Sequence, residues 1–243
     1  MPIGPGEDAV GQAMLDFLEG RGGYELIERD DGMIVPSGGP AGYFAEPADW
    51  SPHEKRVLEF VRGRVLDVGC GAGRISLFLQ ERGHEVVAID LSPGAVATSR
   101  RRGVRQVRQL SITGIGPDLG VFDSIVMLGN NFGLVENERR ARWLLRRFFK
   151  WTSDDARILA ESRDPYATED PAHLAYHERN RSRGRMGGQV RIRVRYLRHR
   201  SPWFDYLLVS EQEAGRLVEG TGWQVQRTFW GGHGTYSMVI GKA

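Results

Sequence analysis

The sequence predicts an α/β fold, a doubly wound and mostly parallel sheet with helices on both faces, and three observations carry that prediction. From Gly63 onward, buried strand-like runs alternate with helical runs across short connections. Helix starts are marked twice by the same pair, Ser51-Pro52 and Ser92-Pro93, an N-cap followed by a proline at the first helical position. A glycine-rich turn, VLDVGCGAGR at residues 65–74, stands between the first of those strands and the helix after it.

Taken in order, residues 8–19 place Ala9, Val10, Ala13, Met14, Phe17 and Leu18 at helical spacing before Gly20, Gly22 and Gly23 stop the pattern. Residues 24–35 read as two short strands around Asp30-Asp31-Gly32, a common hairpin-turn composition. Three prolines and three glycines within 36–47, around Tyr43 and Phe44, leave a loop that carries aromatics. Ser51, with the capping-box acid Glu54, opens a helix through about residue 61. Strands follow at 64–68, 85–89, 107–111, 122–128 and 157–161, with helices after the glycine turn, after Ser92 and at about 138–151. Beyond them lie a polar stretch at 164–188, a hairpin of 189–196 with 203–209, and a helix capped by the box Ser210 to Glu213. Two last strands, 223–230 and 235–240, flank the turn Gly231-Gly232-His233-Gly234. Residues 1–62 are thus expected to form a helical and hairpin cover, and 63–243 the core, with an insertion at about 164–209.

Composition excludes several classes. Apolar residues make up 40% of 243, ordinary for a globular chain, which removes disorder, collagen and coiled coil. The uncharged run Ser124 to Val135 is well short of the roughly 18 residues a membrane span needs. The first twenty residues carry neither a basic nor an apolar signal region, so the expected address is the cytoplasm. One cysteine, Cys70, excludes an internal disulfide and any multi-thiolate metal site. The net charge of +2 implies no polyanionic partner by itself. Its distribution is uneven: nine arginines fall between Arg179 and Arg200, a window without Asp or Glu.

Gly69, Gly71 and Gly73 would let the backbone turn tightly and a nucleotide-like ligand approach. The dinucleotide fingerprint needs glycine at position 74 and finds Arg74. Asp67, at the carboxyl end of the strand, would repel a pyrophosphate at the following helix start but suits a cation. S-adenosylmethionine has an ammonium and a sulfonium and no phosphate. Asp90 closes the next strand, near the offset at which an acid accepts hydrogen bonds from ribose hydroxyls, and Leu91 beside it could pack on adenine.

The runs VLDVGCGAG, VVAIDLSP and FDSIVMLGNN resemble those of the class I S-adenosylmethionine-dependent methyltransferases, and the similarity covers roughly residues 57–161. The resemblance implies a Rossmann-like sheet of seven strands with the last antiparallel, and S-adenosyl-L-methionine as cofactor. It places the backbone of Gly69, Cys70 and Gly71 against the methionine part and Asp90 on the ribose. Ser111 and Ile112 fall at the adenine edge, and Leu128, Gly129 and Asn130 beside the amino acid and the reacting methyl. Many family members carry an acid where Ser111 stands.

The methyl acceptor is expected to be a small molecule methylated on O or N. A cytosine carbon-5 enzyme needs a cysteine away from the glycine loop, an amino-methylating nucleic-acid enzyme needs prolines after Asn130, and a catechol-type magnesium site needs an aspartate there. None is present, and no metal is expected. Arg191, Arg193 and Arg195 alternate with Val190, Ile192, Val194 and Tyr196, giving either a half-buried strand with a solvated face or a grip on RNA or an acidic small molecule. RNA methylation and cofactor binding without transfer stay open as alternatives. On the acceptor side, Tyr43 is a lid candidate and Asn130, Glu161 and His233 stand at the carboxyl edge of the sheet, with His233 the leading candidate for a base. His173 and His177 share a helical face, either as ligands or as part of a solvated helix; His53 and His84 receive no role.

Overall fold

The computed structural model describes residues 3, 4 and 6–243. Seven strands hydrogen-bond in the order β11-β12-β7-β6-β3-β4-β5: β3 is Val65–Val68, β4 Val86–Asp90, β5 Val107–Gln109, β6 Phe122–Met127, β7 Thr152–Arg163, β11 Trp223–Trp230 and β12 Thr235–Lys242. β3 with β4, β4 with β5 and β6 with β7 pair parallel, while β12 runs antiparallel to both neighbours. The doubly wound sheet with an antiparallel last strand is therefore as the sequence predicts. A second sheet, in the order β10-β8-β1-β2, contains β1 Leu26–Arg29, β2 Ile34–Pro36, β8 Gln189–Tyr196 and β10 Phe204–Leu207, with the two-residue β9 (His199–Arg200) on β8. It joins the N-terminal hairpin to the insertion, a pairing that local patterning does not reveal.

The chain divides into two compact units. The first holds the described residues up to 50, with 64–115 and 191–204. Its central strands β3 and β4 bury every residue but the last, because VLDV and VVAI present apolar side chains to both faces of a parallel sheet. Helices α3 (Arg74–Glu81) and α4 (Pro93–Arg102) follow them, and Ser92 caps α4 by accepting from the Ala95 N–H at 2.9 Å. The N-terminal helix α1 (Ala9–Leu18) docks on α4 through its own cap: Asp8 accepts from Ser92 Oγ at 2.6 Å and from the Gly94 N–H at 2.7 Å. The helices cross where neither has a side chain, and a Cβ on Gly94 would lie 2.5 Å from the carbonyl carbon of Gly11.

The second unit holds 51–63, 116–190 and 205–243. Helix α2 (Pro52–Leu58) starts at the Ser51 cap and ends three residues before the expected boundary. Glu59, Phe60 and Val61 make tighter i−3 bonds, and the Arg62 backbone is taken by Ser124 Oγ, which accepts its N–H at 2.9 Å and donates to its carbonyl at 2.8 Å. Helix α5 (Glu138–Lys150) buries Ala141, Leu144, Leu145 and Phe148, a 3.6-residue stripe. Its Arg142 donates to the carbonyls of Arg216 and Glu219, capping the end of α7 (Glu211–Val218), whose start is the predicted Ser210–Glu213 box. β7 is longer than expected because its register shifts where Phe122 opposes Thr152 and Ser124 opposes Arg157. The polar stretch after it contains a helix, α6 (Pro171–Ser182), capped by Asp170. Among the described residues no helix is long and apolar enough to cross a membrane.

Gly94→Ala should lower stability by about 1–3 kcal/mol, since the methyl meets backbone at the α1–α4 crossing, even though alanine favours the helix. A urea denaturation midpoint at or above that of the parent protein would contradict this packing.

Candidate active site

In the first unit the glycine turn is tied to the end of β4. Gly69 and Cys70 donate their N–H groups to the Ile89 carbonyl at 2.9 and 3.1 Å, and the Gly71 N–H donates to Asp90 Oδ2 at 2.9 Å. The other oxygen of Asp90 accepts from the Ser92 N–H at 2.9 Å, so one carboxylate joins the turn to the start of α4. Gly71 has φ +55°, and a Cβ there would come 3.3 Å from Met14 Cε and 3.8 Å from Tyr43 Cδ1. The N-terminus of α3, at Gly73, has no side-chain cap. Burial pushes the Asp90 carboxyl upward against its backbone donors, with the nearby Asp8 charge adding to it.

Asp67 sits wholly under the turn and accepts from Ser76 Oγ at 2.6 Å; burial pushes its carboxyl up to about 6. The Cys70 side chain turns into the core with Ala88, Val96, Val104 and Val107, so of this residue only the backbone belongs to the turn. Burial holds its thiol well above the ordinary range. Leu91 is exposed. Ser111 ends the expected strand two residues early because its hydroxyl caps a short 3-10 turn, Ile112–Gly114, accepting from the Thr113 N–H at 3.3 Å; Ile112 is buried.

The aromatic loop is more ordered than its prolines and glycines suggest. Pro40–Phe44 is a 3-10 turn, and Tyr43 and Phe44 pack with Met14, Ala72 and Ala95. Arg102 lies over the Phe44 ring and donates to the Ala72 carbonyl at 2.7 Å. Beneath Tyr43 is a residue with no sequence signal, Glu25, which lies outside every motif. It is fully buried, accepts from Ser37 Oγ at 3.1 Å and from the Tyr43 hydroxyl, and is pushed up to about 7 by burial.

In the second unit, Leu128 is buried at the end of β6, and Gly129 and Asn130 follow in left-handed conformation at φ +70° and +63°. The Asn130 N–H donates to Glu161 Oε1 at 3.0 Å, and the Tyr206 hydroxyl donates to the Asn130 carbonyl. Glu161 ends deep in β7, 5% exposed, with its second oxygen 3.6 Å from Nε2 of His53, itself 5% exposed. The pairing of β12 with both β7 and β11 sets the turn 231–234 at the carboxyl end of β7. His233 stands there exposed, at φ +54°, while Gly231 of the same turn lies against the His53 ring. The histidine beside Glu161 is thus His53, at the first turn of α2, to which the sequence assigns no role.

A family model described as a methyltransferase domain matches residues 65–154. A solved S-adenosylmethionine-dependent methyltransferase from Bacteroides fragilis, in complex with S-adenosyl-L-homocysteine, is 26% identical and covers 99% of this chain and 98% of its own, with a TM-score of 0.84. These matches support a class I S-adenosylmethionine-dependent methyltransferase family. Among curated relatives, the glycine/sarcosine N-methyltransferase of Halorhodospira halochloris is 29% identical over 48% of each chain. The malonyl-[acyl-carrier protein] O-methyltransferase of Salmonella typhimurium is 36% identical over 35% of this chain and 37% of its own. The chain spans less than half the length of these curated relatives.

Glu25 gives the first unit a pH signature. Its carboxyl binds a proton more tightly folded, at about 7, than at its ordinary 4.5, so its contribution is fully present below 4.5 and is lost as pH rises through 7. The parent protein should lose about 3 kcal/mol from this group across that window, and Glu25→Gln should flatten the fall. Equal slopes of stability against pH in the two proteins would contradict the assignment.

Proposed function

We propose that this chain binds S-adenosyl-L-methionine and transfers its methyl group to a small-molecule acceptor at O or N. The observation that carries the reading is the anionic cradle of the first unit. Asp90 holds the Gly71 N–H, Asp8 and Asp67 lie close enough to act on it or be acted on by it, and Glu25 is buried next to Tyr43. Grouped carboxylates of this kind raise one another's proton affinity and are relieved by a cation, whereas a pyrophosphate would add to the repulsion. The donor supplies an activated methyl carbon on a sulfonium. Around it, the uncapped start of α3 suits a carboxylate, Asp90 suits ribose hydroxyls, Leu91 and Ile112 suit the adenine faces, and Ser111 suits its edge.

Acceleration in this reading comes from holding the acceptor in line with the methyl group, an effect worth roughly 7–11 kcal/mol in the best cases. The acceptor side uses Leu128, Gly129, Asn130 and Glu161, with His233 as an outer contact and Tyr43 as the lid residue over the donor. The basic window supports a small molecule over RNA: Arg193 forms a two-pronged pair with Glu28 at 2.8 Å, Arg195 shares the same carboxylate at 3.3 Å, and Arg193 also covers the Trp203 ring. These cations are already committed to their own sheet.

Calorimetric titration tests the reading. S-adenosylmethionine should bind and NADH should not, and Asp90→Ala should weaken the sulfonium ligand by roughly tenfold or more through lost hydrogen bonds and a loosened turn. NADH binding in preference to the sulfonium compound would overturn the cofactor reading, and unchanged affinity in the variant would remove Asp90 from it. Binding should also weaken as pH falls through about 6, where Asp67 takes up a proton.

A further inference from the structure

One buried carboxyl in the first unit anchors both ends of the aromatic turn. Glu25 is fully buried, and its Oε2 accepts from Ser37 Oγ at 3.1 Å. Ser37 Oγ in turn accepts from the Gly39 N–H at 3.1 Å, just before the turn Pro40–Phe44 begins, which leaves its hydroxyl hydrogen for Glu25. Near the other end of that turn, the Tyr43 hydroxyl donates to the same carboxyl. Among the described residues Oε1 of Glu25 has no hydrogen-bond partner. The Tyr43 ring leads from this carboxyl to the glycine turn: its Cδ1 would lie 3.8 Å from a Cβ on Gly71, whose N–H donates to Asp90. Burial, then the charges of Glu25 and Asp90, push the Tyr43 hydroxyl upward, so this one oxygen stands in the field of both carboxyls. The Tyr196 hydroxyl also feels the Glu25 charge, while its own bond at 3.0 Å goes to Asp16, which Arg21 pairs at 2.6 Å.

A carboxylate sunk in a dry site is costly until a positive charge comes within range, and a neutral carboxyl is a poorer acceptor for the two hydroxyls. We infer that Glu25, acting through Tyr43, is a positioning residue that ionises when a cation occupies the glycine turn and so favours the sulfonium donor over its neutral thioether product. The inference rests on the cofactor reading above and adds discrimination to it. On donor binding the O–H bond of the Glu25 carboxyl breaks and its proton goes to the solvent buffer. Both hydroxyls then donate to a full carboxylate, which tightens Pro40–Phe44 over the turn. Once the methyl group has left, the sulfonium charge is gone, Glu25 takes a proton back from solvent, and the hold on the product weakens. By thermodynamic reciprocity the same coupling is readable as a proton count and as an affinity ratio.

Calorimetry of the full chain at pH 7, in two buffers of different ionisation enthalpy, counts the protons released, with S-adenosylmethionine and S-adenosylhomocysteine as the probes. Glu25 starts near its midpoint, at about 7. A tenfold coupling to the donor's charge frees about 0.4 proton from it, and the uncharged thioether should free close to none. Asp67 and Asp90, also raised by burial, contribute in parent and variant alike, so the difference between the parent and Glu25→Gln isolates Glu25. In Glu25→Gln that release should vanish, and the preference for the sulfonium compound should fall about fivefold, whereas a merely structural loss would weaken both ligands equally. Equal proton release by the two ligands in the parent protein overturns the inference without any variant having to fold. So does a Glu25→Gln protein that keeps the parent's difference. Failure of the sulfonium compound to bind overturns the cofactor reading itself, whereas binding without the difference overturns this inference alone.

Discussion

The Asp90 carboxylate is the constraint on which the first unit of this protein depends. Its two oxygens hold the Gly71 N–H and the Ser92 N–H at 2.9 Å each, so one side chain at the end of β4 fixes both the glycine turn and the start of the next helix. Asp8 then adds to the same point from outside, accepting from Ser92 and Gly94, and brings α1 onto α4. Removing any of these acids would leave a backbone N–H without a partner in a water-poor place. The negative charge so gathered makes the folded turn less comfortable by itself than with a cation nearby. In the function proposed above, fold and ligand preference share one cause.

Glu161 plays the corresponding part in the second unit. One oxygen holds the Asn130 backbone in its left-handed turn, and the other faces His53. The first is a structural bond, fully made. The second has no hydrogen bond and lies 3.6 Å from Nε2 of His53, so the two oxygens of one carboxylate are unequally satisfied.

Much of this was legible in the sequence because its signals are local. The caps at Ser51, Ser92 and Ser210 appear where their side chains and prolines place them, since a capping bond spans only three residues. The continuous apolar runs VLDV and VVAI announce strands buried on both faces, and the glycine turn lies between strand and helix as its spacing implies. Asp170-Pro171 carries the same cap signal as Ser92-Pro93, and the i, i+4 spacing of His173 and His177 marks the helix α6 that it starts. What sequence does not disclose is long-range. His53 lies in a first helical turn whose pattern is fully explained by capping, and only the return of β7 and the 231–234 turn brings it to Glu161. Glu25 has no motif because its character comes from burial beneath Tyr43. The pairing of β1 with β8 likewise depends on strands that alternate in the same way and carry no mark of their partner.

The α1–α4 crossing has a kinetic consequence. With Gly11 and Gly94 in backbone contact and Asp8 gripping the first turn of α4, the N-terminal helix has a single seat and no neighbouring register in which to rest. Sliding by a residue would drive a side chain into the facing backbone. Its release is therefore all or nothing, a discrete event with its own rate rather than a gradual breathing of the surface.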